Sequence, residues 1–207
     1  MLDLFFGCRS LVDIIIPSTV ESIDRMAFKE CTSLEKLEPP LITSINDHVF
    51  WRSSILKEIT IPQSVTVIRD FAFDGCVCLQ EVKIPSSLQS IGECAFNGCI
   101  KLLKIEIPST VQSIGGQAFQ NCQSLIEINL PSTLTSIEDG LFNCCTQLVK
   151  VLIPQTVSQI GSCVFQKCLE LTNISIPSYV NSIGTYAFNM CKSLKIIALP
   201  SSLLSIG

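Results

Sequence analysis

The chain has 207 residues, of which 47% are hydrophobic and 15% charged, with a formal net charge of −4 at pH 7. A charge-poor, weakly acidic chain offers no general attraction to a phosphate backbone, which argues against a nucleic-acid partner. No apolar run approaches the ~20 residues of a membrane-spanning helix. Length alone suggests one or two globular domains, but proline spacing overrides that expectation. Pro62, Pro85, Pro108, Pro131, Pro154, Pro177 and Pro200 follow one another at 23-residue intervals, and Pro17 and Pro39 extend the series backwards with one 22-residue step. A fixed period of this size marks a solenoid, which grows by units rather than around one core.

At the N-terminus, MLDLFFGCRS lacks the basic start of a signal peptide, and Asp3 interrupts its apolar run. Phe5, Cys8, Leu11 and Ile14 instead align with Phe28, Cys31, Leu34 and Leu37. Residues 1–15 therefore read as a partial repeat, eight full repeats fill 16–198, and 199–207 begin another. The whole chain, 1–207, reads as a single repeat domain. Neither end carries the polar cap that solenoids normally need. This suggests a piece of a longer array, or ends covered by another chain, including end-to-end self-association.

Each unit follows I-P-S-[ST]-[VL]-x-S-I-G-x-x-A-F-x-x-C-x-x-L-x-x-I-x, as in residues 107–129. Glu127-Ile128-Asn129-Leu130 alternates polar and apolar, which predicts a short half-buried strand. Proline ends it, having no N–H for a ladder. A second short extended piece is expected from Val111 to Ile114, broken by Gly115. Ala118, Phe119 and Cys122 have i, i+1, i+4 spacing, which predicts about one turn of helix or 3-10 helix on the far side. Successive strands must then pair in parallel, about 4.8 Å apart.

Residues 39–60 form the irregular unit, one residue short. Val49-Phe50-Trp51-Arg52-Ser53 replaces Ala-Phe-x-x-Cys, and the unit carries the sole Trp and the sole His, His48. Trp51 and Arg52 fall at variable outward positions, so an exposed aromatic–arginine pair is expected, a combination favoured at binding hot spots. The plainer reading is a degenerate repeat with Trp51 folded onto the surface.

Eight of the twelve cysteines form a ladder: Cys8, Cys31, Cys76, Cys99, Cys122, Cys145, Cys168 and Cys191, with Ser53 in the missing rung. Neighbouring rungs fall within disulfide distance, but stacked side chains point the same way, so their Cβ vectors do not face each other. Reduced, buried thiols acting as small hydrophobes are expected. Cys78, Cys94, Cys144 and Cys163 do not assemble a zinc set with His48. No cofactor or metal is therefore expected. Unpaired thiols favour a reducing compartment.

Two outward strand columns carry the variability of the repeat. One runs Asp13, Lys36, Glu58, Glu81, Lys104, Glu127, Lys150, Asn173, Ile196; the other runs Ile15, Glu38, Thr60, Lys83, Glu106, Asn129, Leu152, Ser175, Ala198. The candidate protein-binding residues are Lys36, Glu58, Glu81, Lys83, Lys104, Glu106, Glu127 and Lys150, together with Trp51 and Arg52. The alternation Glu81–Lys104–Glu127–Lys150 also admits a structural reading, since opposite charges on adjacent strands attract. No second His, G-x-S-x-G elbow or Walker loop is present, so an enzyme is not expected. The sequon Asn173-Ile174-Ser175 lies on a predicted strand and is expected to be unused.

Ile84-Pro85, Ser90-Ile91-Gly92, Ala95-Phe96 and Cys99, repeated at fixed offsets, make the whole chain resemble the BspA-like subclass of leucine-rich repeats. It lacks the asparagine ladder of the common leucine-rich pattern. Ser64, Ser87, Thr110, Thr133, Thr156 and Ser202 recur after the strand instead, where hydroxyls could satisfy backbone groups. The resemblance implies an α/β-type, right-handed superhelix with a parallel concave β-sheet, short second strands and short helical or 3-10 turns on the far side. It implies a non-enzymatic protein-binding scaffold of surface or adhesion type, whose partner is a host matrix or cell-surface protein. A secreted or surface location conflicts with the thiols. The alternative is an intracellular scaffold or regulatory subunit of an enzyme.

Overall fold

The computed structural model describes residues 4–207. Its extended segments are short because each repeat turns at its proline and again after Ser-Ile. The Ser-Ile positions form β1 (Ser44–Ile45), β3 (Val67–Ile68), β5 (Ser90–Ile91), β6 (Ser113–Ile114), β8 (Ser136–Ile137), β10 (Gln159–Ile160), β11 (Ser182–Ile183) and β12 (Ser205–Ile206). The pre-proline segments form β2 (Glu58–Thr60), β4 (Glu81–Lys83), β7 (Glu127–Asn129) and β9 (Lys150–Leu152). In these four strands the middle residue is buried and both neighbours are exposed, as their alternation dictates.

All pairings are parallel and link equivalent residues of adjacent repeats, such as Ile91 with Ile114 and Glu127 with Lys150. The result is a parallel-strand β-solenoid. The Ser-Ile strands form two four-stranded ladders, β1-β3-β5-β6 and β8-β10-β11-β12. The pre-proline strands pair only as β2-β4 and β7-β9, with isolated bridges at Lys150–Asn173 and Ser175–Ala198. The expected ranking of one principal sheet over minor second strands is thus reversed in hydrogen bonding.

The core is a set of side-chain ladders. Nine phenylalanines from Phe5 to Phe188 stack in succession, with centroids 5.1 to 6.0 Å apart and planes within 16°. Phe28 through Phe165 are buried. Ladders of Cys, Leu, Ile and Ala flank this stack in one continuous apolar cluster. Each ring from Phe28 to Phe165 gains a stacking partner on both sides only because the neighbouring repeats supply them.

The far side differs from expectation: no helix is present among the described residues. Positive φ occurs at two positions in each repeat. One lies two residues before the phenylalanine, as in Phe71, Cys94 and Gln117, and the other two residues after it, as in Arg52, Gly98 and Lys167. A helix requires consecutive right-handed residues, and a left-handed one every fourth position ends each turn as it begins. Backbone groups are satisfied between repeats instead. Cys94, Phe96 and Gly98 N–H donate to the carbonyls of Gly116, Ala118 and Gln120 at 3.0, 2.8 and 2.8 Å. The far side is therefore a third inter-repeat ladder, and the molecule is not of α/β type.

The hydroxyl ladder is present. Ser64, Ser87, Thr110, Thr156 and Ser202 donate to backbone carbonyls of the preceding repeat at 2.6 to 2.7 Å, and Thr133 donates to the Val111 carbonyl. Leu41 and Tyr179 occupy this position in their own repeats and are exposed.

Candidate functional site

The strand face carries a groove of about 870 Å³ whose lining includes Lys36, Glu58, Glu81, Lys83, Lys104 and Glu106. Six of the ten residues singled out from sequence are therefore brought together. Glu35, Lys57 and Leu103 join them in the lining. A hollow of about 390 Å³ continues from it toward Glu38 and Pro39. Glu127 and Lys150 lie beyond the groove, in register on β7 and β9. Trp51 and Arg52 belong to the far-side turn and do not join the strand-face set.

Charge pairing on this face departs from the sequence reading. Lys104 Nζ meets Glu106 Oε1 at 2.6 Å, and Lys83 Nζ lies 4.0 Å from Glu81 Oε1; both pairs run along a single strand segment. Lys57 Nζ reaches Glu35 Oε2 at 3.1 Å. None of the expected cross-strand pairs among Glu81, Lys104, Glu127 and Lys150 forms among the described residues, and Glu58 stands opposite the like-charged Glu81. Glu106 takes the ammonium that Glu127 would need. Its hydrogen bond holds the Lys104 pKa above the ordinary value, with Glu127 adding a smaller attraction, and the same bond lowers Glu106. These groups are exposed, so their pairing contributes little to the fold and is easily exchanged for a partner's charge.

Trp51 is not the open anchor that its sequence position suggested. Its Nε1 donates to Asp74 Oδ2 at 2.7 Å. Lys29 Nζ lies 4.4 Å, and the Arg52 guanidinium carbon 4.2 Å, from the ring. The network continues from Asp74 to Asn97 and from Asn97 to Asn121. Trp51 is thus half-buried with its N–H used and its ring occupied by cations. Beside it, His48 stacks on Phe71 at 4.8 Å, and its buried Nδ1 has no hydrogen-bond partner. Burial lowers the His48 pKa; Asp47 opposes this, while Arg25 and Lys29 add to it.

The cysteine ladder has a role that sequence reading missed. Each thiol from Cys31 onward donates to the carbonyl of the preceding repeat's phenylalanine, for example Cys99 to Phe73 at 3.3 Å and Cys122 to Phe96 at 3.2 Å. Ser53 makes the same bond to Phe28 at 2.7 Å. A serine in the one broken rung was the available signal, because it preserves a donor. All twelve cysteines are free. Burial pushes Cys31 and Cys191 up to about 11, and Cys76, Cys99 and Cys122 further still. Among the described residues no set of His, Cys, Asp or Glu is gathered to hold a metal, and no helix is long and apolar enough to cross a membrane.

The BspA type leucine rich repeat region matches the chain at residues 2–125, 43–170 and 112–207. The chain belongs to the BspA-type leucine-rich repeat family. Solved relatives share the fold of this BspA-type array. A leucine-rich repeat protein from Bacteroides ovatus is 33% identical with a TM-score of 0.87, over 91% of this chain and 49% of its own. The chain therefore spans about half of that protein's length. The leucine-rich repeat protein of T. pallidum is 33% identical with a TM-score of 0.73, over 75% of this chain and 76% of its own. A leucine rich cell surface protein from Faecalibacterium prausnitzii is 26% identical with a TM-score of 0.58, over 96% of this chain and 69% of its own. No curated protein matches.

The structure of this BspA-type array also exposes a column that sequence reading passed over. It precedes each strand and includes Glu35, Lys57, Gln80, Leu103, Ile126, Val149 and Thr172. Three of its aliphatic members, Leu103, Ile126 and Val149, stand on successive rungs and are exposed, and Val12 holds the position near the start of the array.

Proposed function

We propose that this chain is a non-enzymatic protein-binding scaffold whose strand face, acting as the concave face of one repeat domain, receives a protein partner. The observation that carries this reading is the groove of about 870 Å³ that gathers Lys36, Glu58, Glu81, Lys83, Lys104 and Glu106. Its charges are solvent-exposed and loosely paired, so a partner can exchange ion pairs with them at small cost. Membership of the BspA-type family, and the cell-surface description of the Faecalibacterium prausnitzii relative, support an adhesion-type role toward a matrix or cell-surface protein. End-to-end association of copies is a subsidiary part of this reading.

The test places a photo-crosslinking residue at Thr60 on the strand face and, separately, at Lys167 on the far side. Each protein is then exposed to a panel of matrix and cell-surface proteins. Adducts from Thr60 alone are expected. Adducts from Lys167 alone would overturn the assignment of the face.

A second reading is an intracellular scaffold or regulatory subunit of an enzyme. The twelve free cysteines favour it. Native protein recovered from its source with reduced thiols and no matrix binding would support this alternative.

A further inference from the structure

Leu103, Ile126 and Val149 are 52%, 48% and 39% exposed. They occupy one repeat position on three successive rungs, with Val149 N–H donating to the Ile126 carbonyl at 2.9 Å. Two features separate them from ordinary exposed aliphatics. They lie in the middle of the array with rungs on both sides, so their exposure is not an end effect, unlike that of Ile15 or Leu204. The position is also polar in five other repeats, as Glu35, Lys57, Gln80, Thr172 and Lys195, so the fold makes no demand for an apolar residue there. Beside this stripe runs a charged row, Lys104, Glu127 and Lys150, in which Glu127 and Lys150 face each other in register without forming an ion pair.

We propose that this stripe docks an amphipathic helix of a partner protein. The helix lies along the stack, across the strands, and carries an acid–base–acid row next to its apolar row. The proposal rests on the reading of the strand face as protein-binding and names the chemistry of what it takes.

Spacing selects the helix. Three rungs at about 4.8 Å span about 9.6 Å. Two helical turns place apolar residues across about 10.8 Å, a mismatch of about 1 Å that side chains absorb. An extended segment places same-face residues about 6.7 Å apart, so three of them span about 13 Å and leave the rungs by the third residue. Charge selects the flank. The row reads plus, minus, plus, so its complement is minus, plus, minus, a pattern that is the same in both directions. Apolar residues at i, i+3 and i+7 put the flanking acid, base and acid at i+1, i+4 and i+8. The existing Lys104–Glu106 pair is exposed and yields readily to such a partner.

The test uses three fluorescent synthetic peptides and the intact chain, read by anisotropy at low salt. The first is an alanine-based helix with Leu at i, i+3 and i+7 and Glu, Lys, Glu at the flank. The second swaps the flank to Lys, Glu, Lys. The third presents the same apolar and charged residues in a proline-containing extended segment. The first peptide is expected to bind at least tenfold tighter than either of the others. Ile126→Asp should weaken it at least tenfold and Glu127→Lys at least threefold, with unchanged urea midpoints because both side chains are exposed. Equal binding of the swapped peptide, binding indifferent to Ile126→Asp, or no binding by any peptide would overturn the proposal. Tightest binding by the extended peptide would overturn the helix while leaving the strand-face reading intact, and crosslinking from Thr60 decides that reading separately.

Discussion

Ser53 and the seven thiols from Cys31 to Cys191 do the same work: each places a second donor on a phenylalanine carbonyl that already receives a backbone N–H. The Phe96 carbonyl, for example, accepts from Cys99 N at 3.2 Å and from Cys122 Sγ at 3.2 Å. Because the rung accepts serine, Cys99→Ser should stay within about 1 kcal/mol of the wild type. Cys99→Ala, which loses the donor and leaves a small void, should cost about 1–2 kcal/mol in urea denaturation. The same burial makes stability sensitive to alkali. Unfolded thiols ionise near their ordinary value, whereas folded Cys31 and Cys191 hold their protons to about 11 and the interior rungs hold theirs higher. The folded state then binds more protons, so this stability is complete below pH ~8.5 and is lost as pH rises through the folded values. Melting temperature should fall between pH 8.5 and 11, and fall less steeply when interior rungs are changed to serine.

Repeated elements were legible where every copy carries the same signal, and illegible where the signal is local or relational. The strand alternation, the hydroxyl ladder and the buried phenylalanines follow directly from positions that recur. Phe119 stacks between Phe96 and Phe142 at 5.6 and 6.0 Å, so Phe119→Ala should cost about 3–5 kcal/mol, measured by urea denaturation. The far-side turn was misread because Ala118, Phe119 and Cys122 carry helical spacing while the residues around them carry left-handed backbone. Gly75, Gly98 and Asn121 sit at one such position and hint at it, but Arg52, Lys167 and Met190 occupy the same column and dilute the hint. The backbone test is Gly98→Ala, whose new methyl meets only an ordinary contact at 3.6 Å and whose cost is therefore conformational, about 1–2 kcal/mol. Lys167→Gly at the equivalent position should stabilise by about 1 kcal/mol. A helical turn would reverse both signs. The bond from Trp51 to Asp74 was invisible for another reason: the two residues are 23 positions apart and meet only when one repeat is laid on the next.

At the scale of the whole molecule, the ladders and the faces are separable. Phenylalanine, cysteine, leucine and isoleucine rungs bury one continuous cluster, and each repeat depends on its neighbours for hydrogen bonds and packing. The charged columns and the stripe of Leu103, Ile126 and Val149 lie outside that cluster, on the strand side. Charges alternating from strand to strand suggested a device for holding strands in register, but the pairs made by Glu81 and Lys104 run within a segment, Lys57–Glu35 is the one pair on this face that links adjacent repeats among the described residues, and Glu127 and Lys150 form no pair with each other. Register is set by the hydrogen-bonded ladders, which leaves the face free to be used. The most direct test is a triple charge reversal, Glu81→Lys, Lys104→Glu and Glu127→Lys, read for both urea midpoint and partner crosslinking from Thr60. An unchanged midpoint with crosslinking lost is the predicted result; full crosslinking, or a collapse of the midpoint, would contradict the separation of fold from face.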